Sequence, residues 1–272
     1  MRTFTLPGNI SLAALDAGDA DAPPILFIHG FPLDGSMWHH AAHRLAPHYR
    51  VLIPDLRGYG QSPPAGDQAS IADYADDLAD LLDAARVTTP AVLVGLSMGG
   101  MIALDFARRF PDRLRALVLC CTRATPESPE GLERRAAVAR EALTLGTANL
   151  AATMAAALFH PSAPADLRAL WQRRIAATHP HTVAAGARAL ASRPDARPLL
   201  PTLTVPSLVI AGDADTLTPP DVLKSIADAI PGATFRIIPR SGHLPPVEQP
   251  DTFSACLAEF LRTLPPCPPP NR

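Results

Sequence analysis

A Gly-x-Ser-x-Gly pattern at residues 95–99 constrains this 272-residue chain more than any other feature. An apolar run at 91–94 predicts a buried strand before it, and apolar residues at helical spacing over 101–109 predict a helix after it. In a strand, sharp turn and helix of this kind the backbone is strained at Ser97, and the hydroxyl projects from the sheet edge into a cleft. A side chain at either glycine would collide with the neighbouring strand or helix. The context therefore favours a nucleophilic serine over an ordinary turn.

Strands and helices alternate along most of the chain. This alternation predicts an α/β protein, in which a mostly parallel sheet is covered by helices on both faces. Residues 1–18 alternate polar and apolar side chains around Pro-Gly-Asn and predict a hairpin that supplies two strands. Six further strands, making a sheet of eight, are predicted at residues 25–28, 50–54, 91–94, 114–119, 205–211 and 234–238. Further helices flanking this sheet are predicted at about residues 36–46, from 70 onward, 219–230 and 250–261.

The alternation stops at about residue 123, and no convincing strand follows before residue 198. Helical periods occupy this stretch at 130–145, 148–159, 164–177 and 181–192, separated by glycine or proline. We therefore expect a helical cap, 123–197, inserted into a core formed by 1–122 and 198–272. Most apolar side chains of the cap are expected to pack internally, and a minority to face the cleft. The candidate walls of a substrate pocket are Trp38 from the core and Met154, Leu158 and Trp171 from the cap.

Composition excludes several classes of protein. A net charge of −2 gives no reason to expect a nucleic acid or an anionic membrane as a partner. No apolar run approaches the roughly 18 residues of a membrane span, and the first residues lack a signal-type region, so a cytoplasmic protein is expected. Four cysteines without a Cys-x-x-Cys pair indicate free thiols rather than disulfides or a zinc site. The proline-rich tail, 265–272, is predicted to be neither helix nor strand.

A serine hydroxyl is a poor nucleophile, so it requires a base. Of nine histidines, His243 follows the last predicted strand in a short loop, which places it at the same sheet edge as Ser97. His39 and His43 have the spacing of a metal pair, but no carboxylate with ligand spacing accompanies them, so no metal is expected. His29 directly follows a predicted strand and is interpreted as a residue that shapes its loop.

The acid that orients the histidine is expected at another strand end of the same edge. The segment after the strand 205–211 offers both Asp213 and Asp215. The chain order of serine elbow, late acid and final histidine resembles that of the α/β-hydrolase family. In that family the acid usually falls three residues after the glycine of this segment, which corresponds to Asp215. Asp213 is then expected to bind the backbone of the loop.

The resemblance extends to the oxyanion hole. Met98 begins the predicted helix after the serine, so its backbone amide points toward the cleft. His29-Gly30-Phe31-Pro32 resembles the family's oxyanion loop, which implies that the amide of Phe31 is the second donor. These motifs are similar to those of esterases, 3-oxoadipate enol-lactonases and cofactor-free haloperoxidases. Because the nucleophile is serine, dehalogenases and epoxide hydrolases, which need a carboxylate, are disfavoured.

The resemblance implies a serine hydrolase that cleaves small to medium carboxylic esters or lactones through an acyl-enzyme. Ser97, His243 and Asp215 are the expected catalytic residues, and neither a metal nor an organic cofactor is required. A lactonase specific for one metabolite, a perhydrolase and a carbon–carbon bond hydrolase remain alternatives on the same scaffold. A ligand-binding protein without catalysis is a more distant one. The sequence leaves the oligomeric state open, a homo-oligomer included.

Overall fold

One eight-stranded sheet forms the centre of the computed structural model, which describes residues 1–64 and 69–267. The strands are β1 Arg2–Leu6, β2 Ile10–Ala17, β3 Pro24–Ile28, β4 Arg50–Pro54, β5 Ala91–Leu96, β6 Leu114–Cys120, β7 Ser207–Gly212 and β8 Thr234–Ile238. Their spatial order is β1-β2-β4-β3-β5-β6-β7-β8, and among the described residues only the pairs β1–β2 and β2–β4 are antiparallel. The mostly parallel eight-stranded sheet predicted from the sequence is thereby confirmed.

Helices cover both faces of the sheet because successive strand side chains point to opposite sides. In β3, Leu26 and Ile28 pack in the apolar cluster that contains α2, α3 and α8, whereas Ile25 and Phe27 pack in the cluster that contains α1 and α10. The ten α-helices are α1 His39–Leu45, α2 Ile71–Ala84, α3 Met98–Arg109, α4 Pro129–Leu145, α5 Ala148–Leu158, α6 Ala165–Ala177, α7 Pro180–Ala191, α8 Pro220–Ala229, α9 Pro245–Glu248 and α10 Pro250–Thr263 within the described ranges.

The segment between β6 and β7 contains α4 to α7, and no described residue in it belongs to a strand. Helix α4 packs on α7, and α5 packs on α6. The cap contacts loops at the carboxyl ends of the strands. Thr178 Oγ1 donates to the Pro32 carbonyl (3.2 Å), and Thr182 Oγ1 donates to the Gly58 carbonyl (3.0 Å). The His243 amide donates to the Leu158 carbonyl of the cap (2.7 Å). These contacts place four helices over one edge of the sheet. The division of the chain at residues 123 and 197 stays a prediction.

Three further expectations concern the cysteines, the absence of a membrane span and the proline-rich tail. All four cysteines are free, Cys120 and Cys121 being buried and the other two partly exposed. No described helix combines the length and the apolar character needed to cross a membrane. Of the proline-rich tail, residues 265–267 belong to neither a helix nor a strand, and 268–272 lie outside the described residues.

Candidate active site

Ser97 stands between the end of β5 and the first residue of α3, in a backbone conformation that serine rarely adopts (φ 55°, ψ −114°). Two neighbouring contacts hold it there. The Ser97 amide donates to the Cys120 carbonyl (2.9 Å), and the Thr122 hydroxyl donates to the Ser97 carbonyl (2.6 Å). Strain of this kind persists only where the surroundings over-determine the backbone, and it is typical of functional positions.

The glycines on either side of Ser97 allow the chain to double back. A Cβ on Gly99 would lie 2.2 Å from the Ile28 carbonyl oxygen, and one on Gly95 would lie 2.3 Å from the Gly99 carbonyl oxygen. Both distances are far below van der Waals contact with backbone atoms that cannot move aside. The collisions expected from the sequence are therefore present at both glycines.

His243 and Asp215 form a buried pair at the ends of β8 and β7. His243 Nδ1 lies 2.7 Å from Asp215 Oδ2, and the two side chains are 5% and 0% exposed. Asp215 Oδ1 accepts from the amides of Leu217 (2.9 Å) and Thr218 (3.0 Å), and Thr218 Oγ1 donates to Oδ2 (2.5 Å). Burial acts to raise the pKa of Asp215, but His243 and the Thr218 donors outweigh it and hold that pKa below its ordinary value. The carboxylate is therefore ionised beside the imidazole.

Asp213 has a different role from Asp215, although only two residues separate them. Its Oδ2 accepts from the Arg240 amide and its Oδ1 from the Ser241 amide, both at 2.9 Å. Asp213 thus joins the loop after β7 to the loop that carries the histidine. Of the two acids that the sequence offered, the structure brings only Asp215 to His243.

Glu248, in the short helix α9, holds the histidine loop from the other side. Its Oε1 accepts from the amides of Gly242 (2.8 Å) and Leu244 (3.3 Å), which flank His243, and its Oε2 accepts from the His160 amide of the cap (2.6 Å). Burial raises the pKa of Glu248, and these three donors oppose that rise. Sequence reasoning missed this residue, and its place five residues after the histidine was the only available signal.

The loop after β3 lies directly beside the serine. A Cβ on Gly30 would be 3.3 Å from Ser97 Cβ, and the Phe31 side chain lines the same cavity as Ser97. Met98 is the first residue of α3, so no carbonyl one helical turn earlier is available to its amide. The two backbone amides expected to stabilise an oxyanion, those of Phe31 and Met98, therefore belong to segments on either side of Ser97.

His29 fixes the shape of that loop. Its Nε2 accepts from the Leu56 amide (3.0 Å), and its Nδ1 donates to the Gly30 carbonyl (2.9 Å). The Leu56 amide requires an unprotonated Nε2, and complete burial lowers the pKa of His29. The ring is therefore neutral and joins the loops after β3 and β4, in agreement with its interpretation as a loop-shaping residue.

A cavity of about 500 Å³ opens between the sheet edge and the cap. Ser97 and His243 both line it, as do Phe31 from the core and Met154 and Leu158 from the cap. Two of the four candidate pocket residues, Met154 and Leu158, thus line the same cavity as Ser97.

Trp38 and Trp171 do not line this cavity, so the expectation was wrong for both. Trp38 is fully buried in the core, with its ring centroid 5.1 Å from Phe27 and 5.7 Å from Phe253. Trp171 is buried on α6, with the Arg174 guanidinium 5.2 Å from its ring centroid. A large aromatic ring stabilises the fold more when it is buried in a core than when it faces a solvent-filled cleft. Both rings are buried against neighbouring side chains.

One group of metal-ligating side chains comes together among the described residues. Ligand atoms of Cys121, Asp215 and His243 lie within 4.8 Å of one another, and all three residues are buried. Burial raises the pKa of the Cys121 thiol well above its ordinary value, so a thiolate ligand is disfavoured. Asp215 and His243 already bind each other. The donor set therefore suits an acid–histidine pair better than a metal ion. His39 and His43 do not belong to any such group within the described residues.

Residues 23–250 match the sequence profile of the family described as the alpha/beta hydrolase fold. The chain belongs to the α/β-hydrolase family. This agrees with the resemblance carried by the serine elbow, the late acid and the final histidine. It also agrees with the order of the eight strands, with the serine at the end of the central strand β5.

Similar proteins span nearly the whole hydrolase. The pimeloyl-[acyl-carrier protein] methyl ester esterase of Chromobacterium violaceum is 32% identical over 253 residues, covering 89% of this chain and 95% of that protein. A thermophilic esterase of Thermogutta terrifontis, solved with malate bound, is 40% identical with a TM-score of 0.92, covering 96% of this chain and 97% of that one. The enol-lactonase of Burkholderia xenovorans LB400 is 30% identical with a TM-score of 0.86, covering 96% and 100%. These similarities confirm the predicted enzyme class, a carboxylic ester hydrolase.

Proposed function

We propose that this hydrolase cleaves carboxylic esters through an acyl-enzyme formed on Ser97. The observation that carries the proposal is that Ser97 and His243 line one cavity, while Asp215 binds His243 from behind. Because Nδ1 is engaged by Asp215, Nε2 is the ring nitrogen available toward the cavity. In the first step Ser97 Oγ attacks the ester carbonyl carbon, and His243 Nε2 accepts the hydroxyl proton.

Asp215 acts through the imidazole. Its carboxylate fixes the tautomer with the proton on Nδ1 and stabilises the imidazolium that forms when Nε2 is protonated. His243 and the Thr218 donors keep this carboxylate ionised against the effect of burial, and the Leu217 amide helps to hold it in place. The charge is therefore already oriented before the reaction begins, which lowers the reorganisation that the step requires.

The negative charge that develops on the carbonyl oxygen is held by the amides of Phe31 and Met98. Each such donor typically contributes about 3–4 kcal/mol to the stability of the transition state. The tetrahedral intermediate then expels the alkoxide, which takes the proton from His243 and leaves as the alcohol. His243 next removes a proton from water, whose oxygen attacks the acyl carbon, and Ser97 departs with that proton as the carboxylic acid is released.

The substrate is a small to medium ester or lactone. A cavity of about 500 Å³ accommodates an acyl group of that size. A relative named a methyl ester esterase and a solved neighbour named an enol-lactonase support both forms of the same carbonyl chemistry. A lactone gives a hydroxy acid, since the leaving alkoxide stays attached to the acyl group.

Replacing the nucleophile tests the proposal. Ser97→Ala is expected to lower kcat for p-nitrophenyl butyrate by roughly 10³- to 10⁶-fold, because the acyl-enzyme can no longer form. Ser225→Ala, an exposed serine on α8, is the matched control and is expected to keep the wild-type rate. Circular dichroism verifies that both variants fold. A folded Ser97→Ala enzyme with near-normal turnover would contradict the proposed mechanism.

A further inference from the structure

The active-site cavity has a strongly basic wall. Among the described residues that line it, four are arginines and one is acidic, namely Arg123, Arg134, Arg135, Arg193 and Glu127. The described lining residues therefore carry three positive charges in excess. The chain as a whole has a net charge of −2, so the positive charge is concentrated at this cavity rather than spread over the surface.

Glu127 compensates only part of this charge. Arg193 donates to Glu127 from Nη1 (2.7 Å) and Nη2 (3.3 Å), and Arg135 donates from Nε (3.1 Å). Although burial acts to raise it, the two arginines hold the pKa of Glu127 at about 2. Glu127 is therefore a carboxylate at neutral pH, but one carboxylate is shared by two guanidinium groups.

Arg193 is held inside the wall. Its side chain is 3% exposed, and it also donates to the carbonyls of Thr125 (2.8 Å) and Leu190 (2.9 Å). Carbonyl oxygens satisfy the donors without neutralising the charge. A buried charge is screened less than an exposed one, so it acts on the cavity over a longer distance.

Arg123 and Arg134 lie on separate elements of the same wall. Arg123 follows β6 and donates to the carbonyl of Leu217, which also lines the cavity. Within the described residues, no carboxylate lies within ion-pair distance of Arg123. Arg134 is exposed on α4, where Glu130 interacts with it only electrostatically. Both guanidinium groups are thus accessible to an anion that enters the cavity.

The remainder of the wall is mostly apolar. It includes side chains from the core and from three cap helices, namely Phe31, Met101, Val138, Leu150, Met154 and Leu190. An alkyl chain that enters the cavity can pack against these side chains. The cavity therefore combines a reactive serine, an apolar passage and a cationic wall.

Resting on the proposed function, we propose that this hydrolase selects esters whose acyl part ends in a carboxylate, the half esters of dicarboxylic acids. A guanidinium group binds a planar carboxylate through two parallel N–H donors, which a neutral alkyl end does not match. Hydrolysis of such an ester gives the alcohol and the free dicarboxylic acid. In this proposal the arginines contact the terminal carboxylate rather than the reacting carbonyl, so they determine specificity.

The selectivity test compares monomethyl adipate with methyl hexanoate, two methyl esters with six-carbon acyl chains that differ in the terminal charge. The wild type is expected to have a kcat/KM at least about ten-fold higher for the anionic ester at low salt, falling as salt screens the wall. Using the ratio of the two substrates in each enzyme cancels any loss of folded protein. A chain ending in phosphate is the third substrate, and a stronger preference for it would overturn the assignment to dicarboxylic half esters.

Variants locate the preference. The double variant Arg123→Gln/Arg134→Gln is expected to reduce the ratio about ten-fold, mainly by raising KM for the anionic ester. The double variant Arg123→Gln/Arg134→Lys, which keeps one of the two charges, is expected to recover part of this loss. Arg236→Gln removes one positive charge from an exposed position on β8, outside the cavity, and is expected to leave the ratio unchanged. A wild-type ratio near one, or a ratio that survives the double substitution, would overturn the proposal.

A binding measurement separates this proposal from the catalytic one. Calorimetry of Ser97→Ala with adipate and with hexanoate needs no turnover, and adipate is expected to bind about ten-fold more tightly. If esters are hydrolysed through Ser97 but adipate gains nothing, only the carboxylate selectivity fails. If adipate binds preferentially while no ester is hydrolysed, the anion site stands and the proposed function fails.

Discussion

His243 Nδ1 and Asp215 Oδ2 lie 2.7 Å apart, and both side chains are buried. We predict that Asp215→Asn lowers kcat for p-nitrophenyl butyrate by about 10⁴-fold, because an amide does not hold the tautomer that leaves Nε2 as a base. Steady-state kinetics at saturating substrate measure the effect.

Asp213→Asn is the matched control for that substitution. It keeps one acceptor oxygen for the amides of Arg240 and Ser241, so kcat is expected to stay within about ten-fold of the wild type. Equal losses in the two variants would contradict the assignment of Asp215 as the residue that orients His243.

Glu248 is predicted to position the histidine loop. Glu248→Ala removes the acceptor for the amides on both sides of His243, and a displacement of about 1 Å at a catalytic group can cost about 100-fold in kcat. KM is expected to change little, since Glu248 does not line the cavity. Glu248→Gln keeps one oxygen acceptor and is expected to lose less. A change confined to thermal stability, with kcat intact in both variants, would show a structural role only.

The elements nearest the serine were predictable because their signals are local. The apolar run before Ser97 became β5, the spacing after it became α3, and the four helical periods of the cap fell within two residues of α4 to α7. A topological rule predicted that His243 and an acid of the segment after β7 lie together, since carboxyl ends of neighbouring parallel strands meet at one edge. The choice of Asp215 came from the family resemblance. The sequence supplied Asp213 as an equal candidate on residues alone.

What escaped prediction depends on tertiary contacts. Trp38 and Glu248 carry no pattern that distinguishes a core ring from a pocket wall, or a loop anchor from a surface acid. The 3₁₀ segment Gly35–Trp38 occupies the start of the helix expected at about 36–46, and the short α9 lies where no element was expected, because one turn is too short to give a period. The basic wall joins residues from the segment after β6, from α4 and from the segment after α7, which come together only when the cap folds over the sheet.

His29 is predicted to support the loop after β3 without touching substrate. His29→Ala leaves the Leu56 amide without its buried acceptor, which is expected to lower the free energy of unfolding by about 1–3 kcal/mol. Because the folded pKa of His29 lies below its ordinary value of 6.5, its contribution is complete above pH 6.5 and decreases as the pH falls below that value. Urea unfolding at pH 7.5 and 5.5 measures both effects. A difference between variant and wild type that grows at pH 5.5 would contradict this account of the neutral ring.

A second prediction on the pH dependence of stability concerns Glu127, over a lower pH range than that of His29. Its folded pKa of about 2 lies below the ordinary 4.5, so the stability it gains from Arg193 and Arg135 is present above pH 4.5 and is lost as the pH falls toward 2. Glu127→Gln is therefore expected to be destabilised most clearly at neutral pH, and its difference from the wild type to shrink between pH 4.5 and 2. Urea unfolding at pH 7, 4 and 2.5 follows this difference directly.

Glu133→Gln removes an exposed carboxylate from the nearby helix α4 and is the control, with a small difference from the wild type expected at every pH. The substitution Glu127→Gln also removes the negative charge that Arg193 and Arg135 share. Its preference for monomethyl adipate over methyl hexanoate is accordingly expected to rise at pH 7, whereas its stability falls. If stability decreases and the preference does not rise, Glu127 stabilises the basic wall, but the arginines of that wall do not select substrates by charge.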